Sequence, residues 1–150
     1  MAAKRKPDKS KLTYVDPYIR VKDVARSADW YKRMLGFQIA MAMPNKKSPS
    51  FVRMHAGGDQ DGVALMIGDG GDAISGKKAT ALTRAAISSR KAQRVVTFYY
   101  RVDRNIDDFF ASVKRKKAKV TSPIQDMEYG MREFTIRDPD GYDITIAQNL

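Results

Sequence analysis

The stretch DPYIRVKDVARSADWYKRMLGF, residues 16–37, decides the fold. It begins inside a run of strand-like residues, 15–21. Apolar residues with helical spacing follow, at Ala28, Tyr31, Met34 and Leu35. Gly36 comes directly after the last of them, where a left-handed residue ends a helix, and Phe37 starts an extended run to Met43. The stretch therefore predicts a strand, a helix of about three turns and a second strand.

Two further strands complete the first half of the chain. Apolar runs at 51–55 and 63–67 flank the turn-rich segment Gly57-Gly58-Asp59-Gln60-Asp61-Gly62. The predicted order of the first half is therefore βαβββ.

The second half repeats this order. Patterns at 94–102, 106–116, 120–122, 131–137 and 142–148 predict a strand, a helix, a short strand and a hairpin. The hairpin turn is Asp138-Pro139-Asp140-Gly141, in which proline presets the first turn position and glycine supplies a positive φ. Residues 18–21, Tyr-Ile-Arg-Val, align with residues 99–102, Tyr-Tyr-Arg-Val. We interpret the chain as an internal duplication with an α+β fold.

The predicted organisation has four segments within one structural domain. They are a basic disordered tail (1–12), a first βαβββ module (13–67), a basic linker or lid (68–93) and a second module (94–150).

Charge and composition exclude several classes of protein. The 150 residues include no cysteine, so neither disulfides nor thiolate chemistry is expected, and no segment reads as a signal peptide or membrane span. We expect a cytoplasmic protein. Of the net charge of +11, residues 1–12 carry +4 and residues 77–94 carry +6, so the rest of the chain is close to neutral.

Three motifs in order resemble the vicinal oxygen chelate superfamily. They are Asp16-Pro-Tyr-Ile-Arg-Val-Lys-Asp23, the helix motif Ser27-x-x-Trp30-Tyr31-x-x-x-Leu35-Gly36-Phe37, and Gly130-x-Arg132 with Asp138-Pro-Asp-Gly141. That group includes glyoxalase I, extradiol dioxygenases, fosfomycin-resistance enzymes and bleomycin-resistance proteins. The resemblance covers residues 13–149. It implies paired modules whose curved mixed sheets form a ligand cup, usually in a homodimer.

The resemblance also implies positions for metal ligands, at the first and last strand of each module. In this sequence those positions are Asp16, Met66, Thr97 and Thr145. Of these only Asp16 is a good ligand for a hard cation, whereas a catalytic divalent site needs about three N or O ligands. A register error of one residue brings in no better ligand. We therefore expect no intact metal site, no cofactor and no assigned catalytic residue, in the manner of the bleomycin-resistance branch.

Alternation along the strands predicts which side chains line the cup. The set assigned to the buried face is Ile19, Val21, Val96, Phe98, Val102, Ile144 and Ile146. The opposite set includes Ala64 and Ala147, and its predicted ligand contacts are Asp16, Tyr18, Arg20, Met66, Thr97, Tyr99, Arg101, Asp143 and Thr145. Paired tyrosines and arginines suit an aromatic or amphipathic organic ligand that carries a carboxylate or phosphate.

Ordinary structural roles compete with these assignments. Arg20 can instead pair with Asp16 or Asp143 across the strands, and the two tyrosines can be plain core residues. His55 is the obvious general base, but a surface histidine is the preferred interpretation. For Glu133 the preferred interpretation is an exposed strand carboxylate.

Three functions follow from the sequence. The first is a small-molecule-binding protein without an intact metal site, which holds or sequesters an organic ligand; the unfilled metal positions favour a protein that is not an enzyme. The second is a divergent metal-dependent lyase or dioxygenase that uses Asp16, Glu133 or His55. The third is weak, nonspecific nucleic-acid binding through the basic tail and linker.

Overall fold

The computed structural model describes residues 15–57, 62–71, 80, 85 and 96–150. The predicted tail and most of the predicted linker lie outside these residues.

The first module consists of one helix packed on a four-stranded sheet. Its elements are β1 (Tyr18–Arg20), α1 (Val24–Leu35), β2 (Gln38–Met43), β3 (Phe51–Ala56) and β4 (Val63–Gly68). The sheet order is β1-β4-β3-β2, with β1 parallel to β4 and the other pairs antiparallel. Asp23 caps α1 by accepting from the Arg26 N–H at 2.9 Å, and Gly36 ends the helix at φ 74°.

The second module has the same topology. Its elements are β5 (Thr97–Arg101), α2 (Ile106–Arg115), β6 (Lys119–Met127), β7 (Met131–Arg137) and β8 (Asp143–Asn149). The sheet order is β5-β8-β7-β6, and again only the first pair is parallel. This arrangement confirms the predicted α+β fold of two βαβββ units.

The strand registers relate the two halves residue by residue. Tyr18 lies opposite Met66 in the first sheet, and Tyr99 lies opposite Thr145 in the second. Two residues along, Arg20 faces Gly68 and Arg101 faces Ala147. The aligned residues of β1 and β5 therefore occupy equivalent places in their sheets.

Two local predictions are wrong. The strand predicted at 120–122 runs from Lys119 to Met127. It contains Pro123, which an edge strand tolerates because one side of it needs no ladder bonds. Val96, assigned to the buried face, is 48% exposed because it precedes β5 and has no partner strand.

A continuous core joins the two modules on the helix side of their sheets. Buried side chains of α1, β3 and β4 meet those of α2, β7 and β8 in one apolar cluster. The turn 138–141 of the second module contacts the first: Asp138 accepts from the Tyr31 hydroxyl at 2.9 Å, and Asp140 accepts from the Ser27 hydroxyl.

Neither helix among the described residues is long and apolar enough to cross a lipid bilayer.

Candidate functional site

Each sheet has one face that neither α1 nor α2 covers, which we call the helix-free face. In β3, for example, Val52 and Met54 point into the core, so Phe51, Arg53 and His55 lie on the helix-free face. The same alternation places eight of the nine predicted contacts on these faces: Tyr18, Arg20, Met66, Thr97, Tyr99, Arg101, Asp143 and Thr145. The ninth, Asp16, precedes β1 and bonds to a residue of the first face.

The tyrosines Tyr18 and Tyr99 differ in their surroundings although they are equivalent in register. Both are 45% exposed. The Tyr18 ring lies over Gly68, where a Cβ would stand 2.9 Å from its Cζ, and its centroid is 6.1 Å from that of Phe51. In the second module Ala147 takes the place of this glycine. There the Tyr99 hydroxyl donates to Glu133 Oε2 at 2.7 Å.

Glu133 is held by two phenols. Its other oxygen accepts from the Tyr129 hydroxyl at 2.8 Å. Desolvation and the bond to Glu133 raise the pKa of Tyr99 to about 12, so this hydroxyl keeps its proton at neutral pH. The carboxylate of Glu133 thus positions two aromatic rings, a role that the sequence analysis did not assign to it.

Four arginines lie on the helix-free faces, and two of them are neutralised by carboxylates. Arg53 donates to both oxygens of Asp16, at 2.7 and 3.3 Å. Arg137 donates to both oxygens of Asp143, at 2.7 and 3.0 Å. Arg53 and Arg137 were not among the predicted ligand contacts, although alternation along β3 and β7 also assigns them to these faces.

The other two arginines have no such partner. In the part of the chain that the structure describes, neither Arg20 nor Arg101 forms an ion pair. The alternative prediction that Arg20 pairs with Asp16 or Asp143 is wrong, because Asp16 bonds to Arg53 of β3 and Asp143 bonds to Arg137 of β7. Two cationic groups therefore stand at equivalent positions beside Tyr18 and Tyr99.

The four positions that the resemblance assigns to metal ligands do not fit a divalent ion here. Both oxygens of Asp16 face Arg53, and the buried Thr145 hydroxyl is 2.8 Å from that of Thr135. Met66 and Thr97 add no strong ligand for a hard cation. Among the described residues no group of three or more His, Asp or Glu side chains could hold a metal ion.

His55 is more enclosed than the surface histidine that the sequence predicts. Its ring is half-buried, and Nδ1 is buried without a hydrogen-bond partner. Its register neighbours are Gln38 on β2 and Ala64 on β4. No described acid bonds to the ring, so nothing orients it as a general base.

Comparison with known proteins identifies relatives by family and by fold. The family model described as Glyoxalase/Bleomycin resistance protein/Dioxygenase superfamily matches residues 11–146. A search of curated proteins finds no match.

Solved structures share the fold at low sequence identity. TioX from Micromonospora sp. ML1 is 18% identical with a TM-score of 0.64, covering 91% of this chain and 98% of its own. TnmS3, an antibiotic binding protein from Streptomyces sp. CB03234, is 18% identical with a TM-score of 0.62 and coverages of 94% and 97%. Lactoylglutathione lyase from Agrobacterium tumefaciens is 14% identical with a TM-score of 0.61 and coverages of 95% and 96%.

Proposed function

Since this chain belongs to the Glyoxalase/Bleomycin resistance protein/Dioxygenase superfamily, we propose that it binds an anionic aromatic or amphipathic molecule on its helix-free faces, without a metal ion. One observation carries the proposal. Arg20 and Arg101 occupy equivalent positions and have no carboxylate partner among the described residues, whereas Arg53 and Arg137 each have one.

The unpaired guanidiniums set the charge of the ligand. Arginine binds carboxylates and phosphates with two parallel hydrogen bonds, which are stronger than bonds between neutral groups. Asp16 and Asp143 already neutralise their own arginines, so Arg20 and Arg101 keep cationic groups without an ion-pair partner. Even with the carboxylate of Glu133 counted, these residues leave an excess positive charge on the helix-free faces. An anionic ligand group supplies the missing counter-charge.

The two tyrosines indicate the chemistry of the uncharged part of the ligand. Tyr18 and Tyr99 are half-exposed, and each is fixed, one against Phe51 and Gly68 and the other by Glu133. Fixed aromatic rings beside a few polar groups favour a flat apolar body. The proposed ligand is therefore an aromatic acid, held or sequestered rather than converted.

The comparisons support binding as a class of function and leave the chemistry open. One protein of this fold is named for antibiotic binding and another as a lyase, so the fold alone does not choose between the two. The absence of catalysis is inferred from the side chains at the metal positions and around His55.

The test uses 2-naphthoate as the probe and measures its affinity by isothermal titration calorimetry. We expect saturable binding that falls at least about tenfold in R20A/R101A, because two charge-assisted contacts are lost. The matched control is R104A/R115A, which removes two exposed arginines outside the helix-free faces. Equal affinity in all three proteins, or an equal loss in the control, contradicts the proposal.

A divergent metalloenzyme is the alternative, and elemental analysis separates the two. Protein purified without chelators should contain no stoichiometric divalent metal. One equivalent of such a metal would overturn the binding proposal.

Several predictions of the sequence accompany this proposal. We expect a cytoplasmic homodimer with modules at 13–67 and 94–150, and light scattering on the full chain measures its mass. Weak nucleic-acid binding through the tail and linker is tested by the salt dependence of affinity before and after deletion of residues 1–12.

A further inference from the structure

A cavity lies where the two modules meet, on the helix side of the sheets. Its volume is about 390 Å³. Apolar side chains of both modules line it, namely Leu35, Phe37, Val63, Tyr100, Phe109 and Ile146. This volume and this lining fall within the range of small-molecule pockets. Most of the cavity wall lies on the opposite side of the sheets from the helix-free faces, because Tyr100 and Ile146 alternate with the residues of those faces. Arg101 borders both.

In the other half of the molecule the equivalent space holds a tyrosine ring. Tyr142 directly precedes β8, is buried, and has its ring centroid 6.0 Å from that of Phe98. Its hydroxyl donates to the backbone carbonyl of Arg20 at 3.0 Å. One phenol thus fills the junction between the second module and strand β1.

The strand registers identify the residue that replaces Tyr142 in the half with the cavity. Tyr142 stands three residues before Thr145, and Val63 stands three residues before Met66, the equivalent of Thr145. Val63 lines the cavity. At this position the first module has a valine where the second has a tyrosine. This difference accounts for the open space, because valine lacks the phenol ring.

The hydrogen-bond acceptor used by Tyr142 also has a counterpart at the cavity. Val21 bonds through its N–H to Gly68, so the neighbouring Arg20 carbonyl points off the outer edge of β1. Val102 bonds through its N–H to Ala147 in the same way. The carbonyl of Arg101, a residue of the cavity wall, therefore points off the outer edge of β5.

We propose that this cavity is a second binding site, for a neutral phenol of one or two rings. The aromatic body occupies the space that the Tyr142 ring has in the other half. The phenol hydroxyl donates to the Arg101 carbonyl, as Tyr142 does to that of Arg20. The site takes an uncharged ligand, in contrast to the anionic ligand of the helix-free faces.

The experiment measures binding of 2-naphthol to the full chain through the change in 2-naphthol fluorescence. We expect saturable binding with one site per chain. The ether 2-methoxynaphthalene lacks the donor, so it should bind about two- to tenfold more weakly, the effect of one neutral hydrogen bond.

The decisive variant is Val63→Tyr, which places in the cavity the residue that fills the other half. It should abolish 2-naphthol binding and raise the melting temperature. Val15→Tyr is the matched control, because Val15 is 79% exposed and is not part of the cavity wall; it should bind the probe like the wild type. Ala56→Phe, which fills the cavity from β3, gives a second route if V63Y does not fold.

Three outcomes overturn the proposal. They are equal affinity for the phenol and its ether, binding that persists in both V63Y and A56F, and binding lost in R20A/R101A but kept in V63Y. The last outcome places the neutral probe on the helix-free faces.

Discussion

Removal of one hydroxyl at the module junction should destabilise the fold in a pH-dependent way. Tyr31 is fully buried on α1, and its hydroxyl donates to Asp138 Oδ2 at 2.9 Å. Tyr31→Phe keeps the ring, which packs edge-on against Trp30 and Phe37 with centroids 5.1 and 5.8 Å away. The substitution therefore tests the hydrogen bond between the modules and leaves the ring packing in place.

The expected cost follows from the charge of the acceptor. Burial raises the pKa of Asp138 to about 6, even though the Tyr142 N–H and the Tyr31 hydroxyl both stabilise its ionised form. At pH 8 the carboxyl is ionised, and a hydrogen bond to a charged group contributes about 1.5–3 kcal/mol. For a chain of this size, that corresponds to a fall in melting temperature of roughly 3–12 °C.

The sign of the pH dependence is set by the same carboxyl. Because its pKa is higher in the folded state than the ordinary value of 3.8, its contribution to stability is present at low pH and is lost as pH rises through 6. Loss of the Tyr31 donor raises the pKa of Asp138 further, so the variant loses more stability than the wild type as pH rises. Below pH 6 the bond joins neutral groups and contributes about 0.5–1.5 kcal/mol. The cost of Y31F should therefore be smaller at pH 5 than at pH 8.

Chemical denaturation of wild type, Y31F and Y129F at both pH values measures these differences. Tyr129 is 62% exposed and also donates to a carboxylate, so Y129F controls for the loss of a tyrosine hydroxyl at the surface. Its effect should be much smaller than that of Y31F. The reasoning is refuted if Y31F costs no more than Y129F, or if its cost is the same at pH 5 and pH 8.

Two backbone positions give further predictions. Lys117 has φ 60° after α2, where the first helix has a glycine, so Lys117→Gly should stabilise the protein by up to about 1 kcal/mol. Arg115→Gly, at the last residue of the same helix, should instead destabilise by up to about 1 kcal/mol, and equal signs in thermal melts would contradict this account. Gly68→Ala should push the Tyr18 ring off the first helix-free face and change the near-ultraviolet circular dichroism; an unchanged tyrosine spectrum would argue against the contact.

Much of the fold was predictable because it follows from local patterns. The apolar spacing of residues 24–35, the glycine stop at Gly36 and the turn 138–141 each have one favoured backbone conformation, and the repeat of element order doubles the signal. Alternation predicted which strand residues avoid the core. It was wrong for Val96, because a residue beyond the end of a strand has no neighbour to bury it.

The sequence predicted which residues lie on the site surfaces. It did not predict which of those residues contact each other. Arg20 and Arg101 were assigned to one surface, yet the ion pairs around them depend on how the strands align. Asp16 meets Arg53, 37 residues away, through the order of strands in the first sheet, and Asp143 meets Arg137 through the register of the β7–β8 hairpin.

The sequence by itself determined the two βαβββ units and the residue types on their helix-free faces, since helix and strand periodicity are properties of neighbouring residues. The tertiary structure alone decided which arginines keep an unpaired charge. It also decided which module junction holds a tyrosine ring and which holds a cavity. These outcomes depend on register between strands and on packing between modules. Packing between modules joins groups far apart in the chain, as where the Tyr142 hydroxyl donates to the Arg20 carbonyl 122 residues away.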